Sequence, residues 1–297
     1  MTAKSRFYLL TGTALIVLLL GPSGHVSAGN PHLAQYLPDT NRIFWFIQTS
    51  DLHIGASGTQ DSSNLAWLVG QARQTISPSF IIVTGDLTDS TNGNIFGYPN
   101  GPYLEEWTQY RAILGNNASK DNYYDLPGNH DAYNDQTFAY YRNYSMQGTE
   151  TGPLQLSFTK DFAFGKYHFL GVNTADNTGD GFSIFWPYGD YAGLDSSELS
   201  FISQELASHQ DANLTMVFGH HPLASTGNSS DTYVYYGIDQ FLNLMDFYYS
   251  TLYGYGHTHA FSEAFFDPNL NREGFFYLNV ASLGKSSQNQ YTVFAVD

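Results

Sequence analysis

Five times along this chain a short apolar run stops at a cluster of Asp, Asn or His. The runs are Ile43 to Thr49, Phe80 to Thr84, Asn122 to Leu126, Leu214 to Phe218 and Ser250 to Tyr255. The clusters that follow are Asp51-Leu52-His53, Gly85-Asp86-Leu87-Thr88-Asp89, Gly128-Asn129-His130-Asp131, Gly219-His220-His221 and Gly256-His257-Thr258-His259. Runs of four to seven β-branched and aromatic residues read as buried strands. In open α/β sheets, ligands bind beyond the carboxyl ends of the strands. Five such ends in one sheet would bring all of these side chains to one pocket.

The segments between the runs carry helical spacing. Leu65, Leu68, Val69, Ala72 and Ile76 share one face of a helix. Residues 103–114 place Leu104, Trp107, Arg111 and Leu114 three or four apart, with Gly115 as a stop. Asp195 and Glu198 open a helix in the manner of a capping box, and Asp239 to Tyr248 forms another. Leu154–Phe162 and Tyr167–Thr174 read as paired strands, and Gly274–Ser282 and Tyr291–Asp297 as further strands. Strands alternating with helices predict a layered α/β domain. The aromatic strands of the C-terminal half predict a second sheet packed on the first.

Composition narrows the chemistry. The chain has 297 residues and no Cys, which excludes thiolate nucleophiles, thiolate zinc sites and disulfides. It carries 27 acidic and 11 basic residues, for a net charge of −16, with no Lys/Arg run. Nucleic acid is therefore not an expected partner. A small anionic substrate needs a local cation to offset this field. Six of the ten His lie in the five clusters. Carboxylate, amide oxygen and imidazole together suit divalent Zn, Mn or Fe. Gly85, Gly128, Gly219 and Gly256 stand just before ligand-type residues, where a sharp turn is needed. Asp51 and His53 are two apart, as are His257 and His259, so each pair is expected on one side of an extended strand end.

The first residues form a separate unit. Lys4 and Arg6 precede the uncharged run Phe7 to Leu20, and Val26-Ser27-Ala28 has the small-residue pattern of a cleavage site. Residues 1–28 are thus expected to be a secretory signal peptide, cut after Ala28, leaving no stable membrane insertion. The run is shorter than the roughly 20 residues of a membrane span. Residues 29–42 read as an extended lead-in and 43–297 as one domain. His168 and His209 fit core and helix-end positions, and the role of His221 is open. The aromatic residues of Asp180–Tyr191 are candidates to line a cleft.

The five clusters, in this order, resemble the calcineurin-like metallophosphoesterase superfamily. The resemblance implies a two-sheet β-sandwich flanked by helices, with the metal site at the carboxyl ends of the strands. It also implies two divalent ions and an activity, phosphoester hydrolysis by a metal-bound hydroxide, on a small phosphomonoester or phosphodiester. Asp51, His53 and His259 would hold one ion, Asn129, His220 and His257 the other, and Asp86 would bridge them. His130 would act on the leaving group, with Asp131 orienting its imidazole and Asp89 supporting the loop. Two departures separate this chain from Ser/Thr protein phosphatases: no Arg follows Asp89, and Asp131 stands where those enzymes have Glu. Two more separate it from purple acid phosphatases: Asp51-Leu52-His53 is not Asp-x-Gly, and the second block lacks a Tyr ligand. Two other readings compete: a non-catalytic ligand-binding protein on the same fold, and an extracellular nuclease.

Overall fold

A computed structural model describes residues 9–10, 15–19, 43–91, 100–135, 137–149, 154–175, 192–224, 233–266, 274–285 and 290–296. Its frame is two sheets. In the first, the strands Thr292–Val296, Phe44–Thr49, Ile81–Thr84 and Tyr123–Leu126 lie side by side in that order. The last three run parallel, and Thr292–Val296 runs antiparallel to Phe44–Thr49. The second sheet has the order Ser262–Phe266, Phe275–Asn279, Leu252–Tyr255, Leu214–Phe218, Gly165–Gly171, Leu156–Phe162. Its four inner strands are parallel and both edges antiparallel.

Period-2 alternation explains how the sheets stack. Phe44 and Phe46 point into an apolar layer shared with Phe169, Met216, Phe218 and Leu252 of the second sheet. Ile47 points the other way, into a cluster with Leu65, Leu68 and Trp107 from the helices on the outer face. Leu199, Ile202, Phe241 and Met245 cover the outside of the second sheet. The result is the predicted helix–sheet–sheet–helix arrangement. The ring of Phe46 is its hinge pin: it stacks on Phe80 at 4.8 Å and on Phe294 at 4.7 Å, and meets Phe169 edge-on at 5.4 Å.

Several sequence expectations are corrected. The five ligand-bearing strands do not share one sheet. Phe44–Thr49, Ile81–Thr84 and Tyr123–Leu126 belong to the first, and Leu214–Phe218 and Leu252–Tyr255 to the second. The helix Leu104–Leu114 buries Glu106, Trp107, Tyr110 and Leu114 and leaves Leu104 and Arg111 outside. Burial of Glu106 has a reason: its carboxylate accepts a hydrogen bond from the Ser90 amide at 2.8 Å. Asp195 caps its helix by accepting from the Glu198 amide, but the Glu198 carboxylate serves the Asn173 amide rather than closing the box. The edge strand Ser262–Phe266 was not predicted. The side chains of Ser262, Glu263, Ala264 and Phe265 are exposed on both faces, so there is no buried-exposed alternation to read.

Within the predicted leader, Leu9–Leu10 and Leu15–Leu19 pair with each other, and the latter runs parallel to Thr292–Val296. The expected cleavage site, the lead-in 29–42 and the aromatic stretch 180–191 lie outside the described residues. Among the described residues, no helix is long and apolar enough to cross a membrane.

His168 is fully buried on Gly165–Gly171. The Ser157 hydroxyl donates to Glu205 at 2.6 Å and so accepts from His168 Nε2–H at 3.0 Å. Nδ1 is left without a partner. A second proton would have to sit on that bare nitrogen, and burial, with the nearby His209, pushes the His168 pKa from 6.5 down to about 4.

Two predictions follow from this packing. Phe46→Ala should cost about 3–5 kcal/mol, read as a lowered denaturation midpoint, because it opens a cavity between both sheets. The unfolded chain binds the His168 proton at higher pH than the folded one, so acidification from pH 6.5 to 4 removes stability. In His168→Gln, denaturation midpoints measured across that window should fall less steeply than in the parent protein.

Candidate metal centre

The five loops meet at one edge of the sandwich, where strands of both sheets end. Backbone bonds stitch them together there. The Asp51 amide donates to Gly85 O at 3.0 Å and the His53 amide to Asp86 O at 2.9 Å. Within the second sheet, Gly256 N donates to His220 O at 3.0 Å, and across the sheets Asp51 Oδ2 accepts from the His257 amide at 3.0 Å.

The turn geometry differs from the extended ends expected from the two-residue spacing. Asp51, His53, Asp86, His257 and His259 all take left-handed backbone conformations, with φ of 52°, 47°, 52°, 71° and 58°. Asp and His tolerate this region better than most residues, and clustered occurrences mark functional sites. Close approach explains Gly85, which has φ of 96°. A Cβ there would stand 2.5 Å from His220 Nδ1.

The side chains form two adjoining nests. In the first, single ligand atoms of Asp51, His53, Asp86 and His259 lie within 4.8 Å of one another. His53 Nε2 is 3.0 Å from His259 Nε2 and 3.6 Å from Asp86 Oδ2, and His259 Nε2 is 3.4 Å from Asp51 Oδ1. In the second, His220 Nε2 is 2.9 Å from Asn129 Oδ1 and 3.3 Å from Asp86 Oδ2. His257 Nδ1 is 3.1 Å from Asn129 Oδ1 and 3.3 Å from His220 Nε2. Asp86 Oδ2 thus borders both nests.

The proton assignments can be worked out from the partners. His220 Nδ1 lies 2.7 Å from the carbonyl of Thr84, which only accepts, so Nδ1 carries a proton and Nε2 is the atom turned inward, where a cation would displace the proton that Asp86 favours on it. Asn129 Nδ2 donates to the Tyr133 hydroxyl at 2.7 Å, so Oδ1 is the atom facing the histidines. Ligand-type atoms therefore converge on one another. The donor set is oxygen and imidazole nitrogen, and it fits a divalent cation in each nest.

The electrostatics agree. Burial alone would favour the protonated form of Asp51 and Asp86. Yet His259 beside Asp51, and His220 and His130 beside Asp86, hold both carboxyls well below the usual range. Burial pushes His53 and His257 down to about 3, which keeps these imidazoles neutral. His220 is lifted to about 9, against its burial, by Asp86, and His259 is raised by Asp51. Each faces a buried carboxylate that favours any positive charge beside it.

The remaining candidates occupy supporting places. His130 is 15% exposed at its side chain and projects Nε2 to 3.9 Å from Asp86 Oδ2. Its Nδ1–H donates to the carbonyl of Asp89 at 2.6 Å, so that carbonyl, not Asp131, orients the ring. Asp131 has another task. Its carboxylate accepts from the amides of Leu87, Thr88 and Gly128 at 2.9–3.1 Å and so clamps the Asp86 loop. Burial, then Asp86, pushes its carboxyl up to about 7 despite these donors. Asp89 Oδ1 lies 3.0 Å from His53 Nδ1, a charge contact behind that ring.

His221 is fully buried beside His257, with Nδ1 3.0 Å from Thr174 Oγ1 and Nε2 unpartnered. Sequence reasoning missed Tyr133, Thr174 and Lys285. Tyr133 acts through Asn129, four residues before it, Thr174 through the amides of His220 and His221 across the fold, and Lys285 ion-pairs with Asp89 at 3.4 Å. His168 and His209 lie apart from the centre, in the core and at a helix end, as expected.

Comparison with known proteins places this geometry. Transmembrane protein 62 of Mus musculus is 30% identical over 61% of this chain and 28% of its own length. A relative from Arabidopsis thaliana, named as a metallophosphoesterase, is 24% identical over 72% of this chain and 30% of its own. The chain thus spans less than a third of the length of both. A crystal structure of a dimetal phosphatase from Danio rerio superposes with a TM-score of 0.62 at 12% identity, covering 84% of this chain and 91% of that one. The sequence model of the calcineurin-like phosphoesterases matches residues 44–261, and the chain belongs to that family.

Proposed function

We propose that this protein is an exported, metal-dependent phosphoester hydrolase with a dinuclear centre, acting on a small phosphomonoester or phosphodiester. The observation that carries the reading is the inward convergence of ligand-type atoms on both sides of Asp86 Oδ2, 3.6 Å from His53 Nε2 and 3.3 Å from His220 Nε2. Asp51, His53 and His259 would hold one divalent ion and Asn129, His220 and His257 the other, Asp86 being the carboxylate that borders both nests. When bound, such an ion pair supplies Lewis acidity to the phosphoryl group and an activated water. Zn, Mn and Fe all suit the donor set.

The chain's own groups do the rest. His130 keeps Nδ1–H on the Asp89 carbonyl, so a second proton on the imidazolium sits at Nε2, from which it would pass to a leaving alkoxide and leave the neutral Nδ1–H ring. Its backbone amide donates to Asp86 Oδ1 at 2.9 Å, which ties the position of the proton donor to the central carboxylate. Asp89 stands behind the ring of His53, and Tyr133 fixes the amide of Asn129 so that its oxygen faces inward. Export rests on Lys4, Arg6, the run Phe7 to Leu20 and Val26-Ser27-Ala28.

The test is one reconstitution with Zn, Mn or Fe, followed by elemental analysis and assay on chromogenic mono- and diesters. About two ions per chain and turnover of one ester class are expected. Full metal occupancy with no turnover on either class would replace this reading with a non-catalytic one. His130→Ala should lower kcat by about 10²–10⁴ while metal content holds. Asp86→Asn should lower metal content and activity together, and full activity in that variant would sink the dinuclear mechanism.

A further inference from the structure

A strongly acidic protein that takes an anionic substrate needs a positive group at its site beyond the metal ligands. Seven Lys and Arg lie among the described residues. Of these, Lys285 is the one ion-paired to a carboxylate of the centre, with Nζ 3.4 Å from Asp89 Oδ1. That carboxylate backs His53 at 3.0 Å, so the ammonium stands one side chain away from the first nest. It is close enough to add to the depression of His53 and to oppose the proton on His259.

The lysine is held there by its loop. Leu283 N donates to Ser50 O and Gly284 N to Asp51 O, each at 3.0 Å. Ser282 Oγ donates to Asp51 O at 2.8 Å and accepts from the Lys285 amide at 2.9 Å. The segment that carries Lys285 is therefore bonded to the backbone of Asp51 itself. The side chain is 32% exposed, while Asp89 beneath it is buried. One side of the ammonium meets the carboxylate behind His53 and another meets solvent. An ammonium has three donors, and the contact at 3.4 Å leaves donors for an incoming group.

We propose that Lys285 is the phosphoryl-binding cation of this site and biases it toward dianionic phosphomonoesters over monoanionic diesters; this rests on the hydrolase reading above. The physical basis is Coulombic. A fixed positive charge attracts a dianion about twice as strongly as a monoanion at the same distance. A flanking carboxylate and solvent weaken both attractions, but not their order.

The experiment uses Lys285→Met and Lys285→Arg in the metal-reconstituted chain at pH 8, where a monoester is fully dianionic. Elemental analysis accompanies calorimetric binding of inorganic phosphate and kinetics on a matched mono- and diester pair. In Lys285→Met, phosphate binding and the monoester kcat/KM should weaken roughly tenfold, and the diester kcat/KM about threefold, the square root expected for half the charge. Metal content should hold, and Lys285→Arg should keep most of the mono-to-diester ratio. Equal losses on both esters, or lost metal, would show that Lys285 acts only through Asp89 and His53 and would overturn the proposal. Unchanged phosphate affinity would do the same, and calorimetry gives that answer even if no ester is turned over.

Discussion

The structure depends on one costly arrangement: buried metal-ligand-type atoms aimed at each other. Asp86 Oδ2, Asn129 Oδ1, His220 Nε2 and His53 Nε2 lie 2.9–3.6 Å from a neighbouring atom of this kind. Burying a carboxylate without compensation costs several kcal/mol. Hydrogen bonds from protein donors relieve only part of this. Asp86 Oδ1 is satisfied by the His130 amide, whereas Oδ2 has histidines on three sides. A fold selected for stability alone would not keep such a cluster, because an apolar layer of the same volume serves better. Its retention on five separate loops is intelligible when a cation completes it.

The surrounding scaffold explains how the arrangement persists. Five of the site residues sit in left-handed backbone conformations, each costing of order 1–3 kcal/mol. These turns hold because the loops are bonded to one another and to buried carboxylates. Asp131 fastens the Asp86 loop by three amides, Thr174 Oγ1 accepts from the amides of His220 and His221, and Glu198 in turn holds the Asn173 amide. Polar groups unable to join the apolar sandwich are thus spent on positioning. The aromatic layer around Phe46 supplies the stability against which this strain is set.

Much of this was legible in the sequence, and the limits have physical causes. Short apolar runs such as Phe44–Thr49 and Leu214–Phe218 announced themselves, because strands covered on both faces demand near-continuous apolar side chains. All seven candidate ligands were identifiable from type and order, and the structure brings them together. The partition of the strands between two sheets was not legible, since a buried parallel strand reads alike in either. The face of Leu104–Leu114 was misread because a charged residue, Glu106, is buried with its carboxylate on the Ser90 amide, a partner that spacing does not reveal. Asp131 was assigned to His130 on adjacency. Its side chain turns the other way, toward amides 43 and 44 residues distant, and the nearer partner of His130 proved to be a carbonyl. Lys285 lies beyond the last ligand block, outside any motif.

The distribution of partners also bears on how folding and metal binding are linked. Many of the bonds that assemble the loops run between backbone atoms, or from backbone amides to carboxylates, rather than through the inward-facing lone pairs. Gly256 to His220, Asp51 to Gly85, His257 to Asp51 and Gly284 to Asp51 all form without drawing on an imidazole. The two sheets are joined at this edge by the chain itself and through their interior by the aromatic layer. A cation bound here would therefore enter a preformed nest instead of creating one, in contrast to small metal-folded domains, whose cores are too small to fold without the ion. In a chain without cysteines, this leaves the core to specify the fold and the ion to offset the charge that the fold has concentrated at its edge.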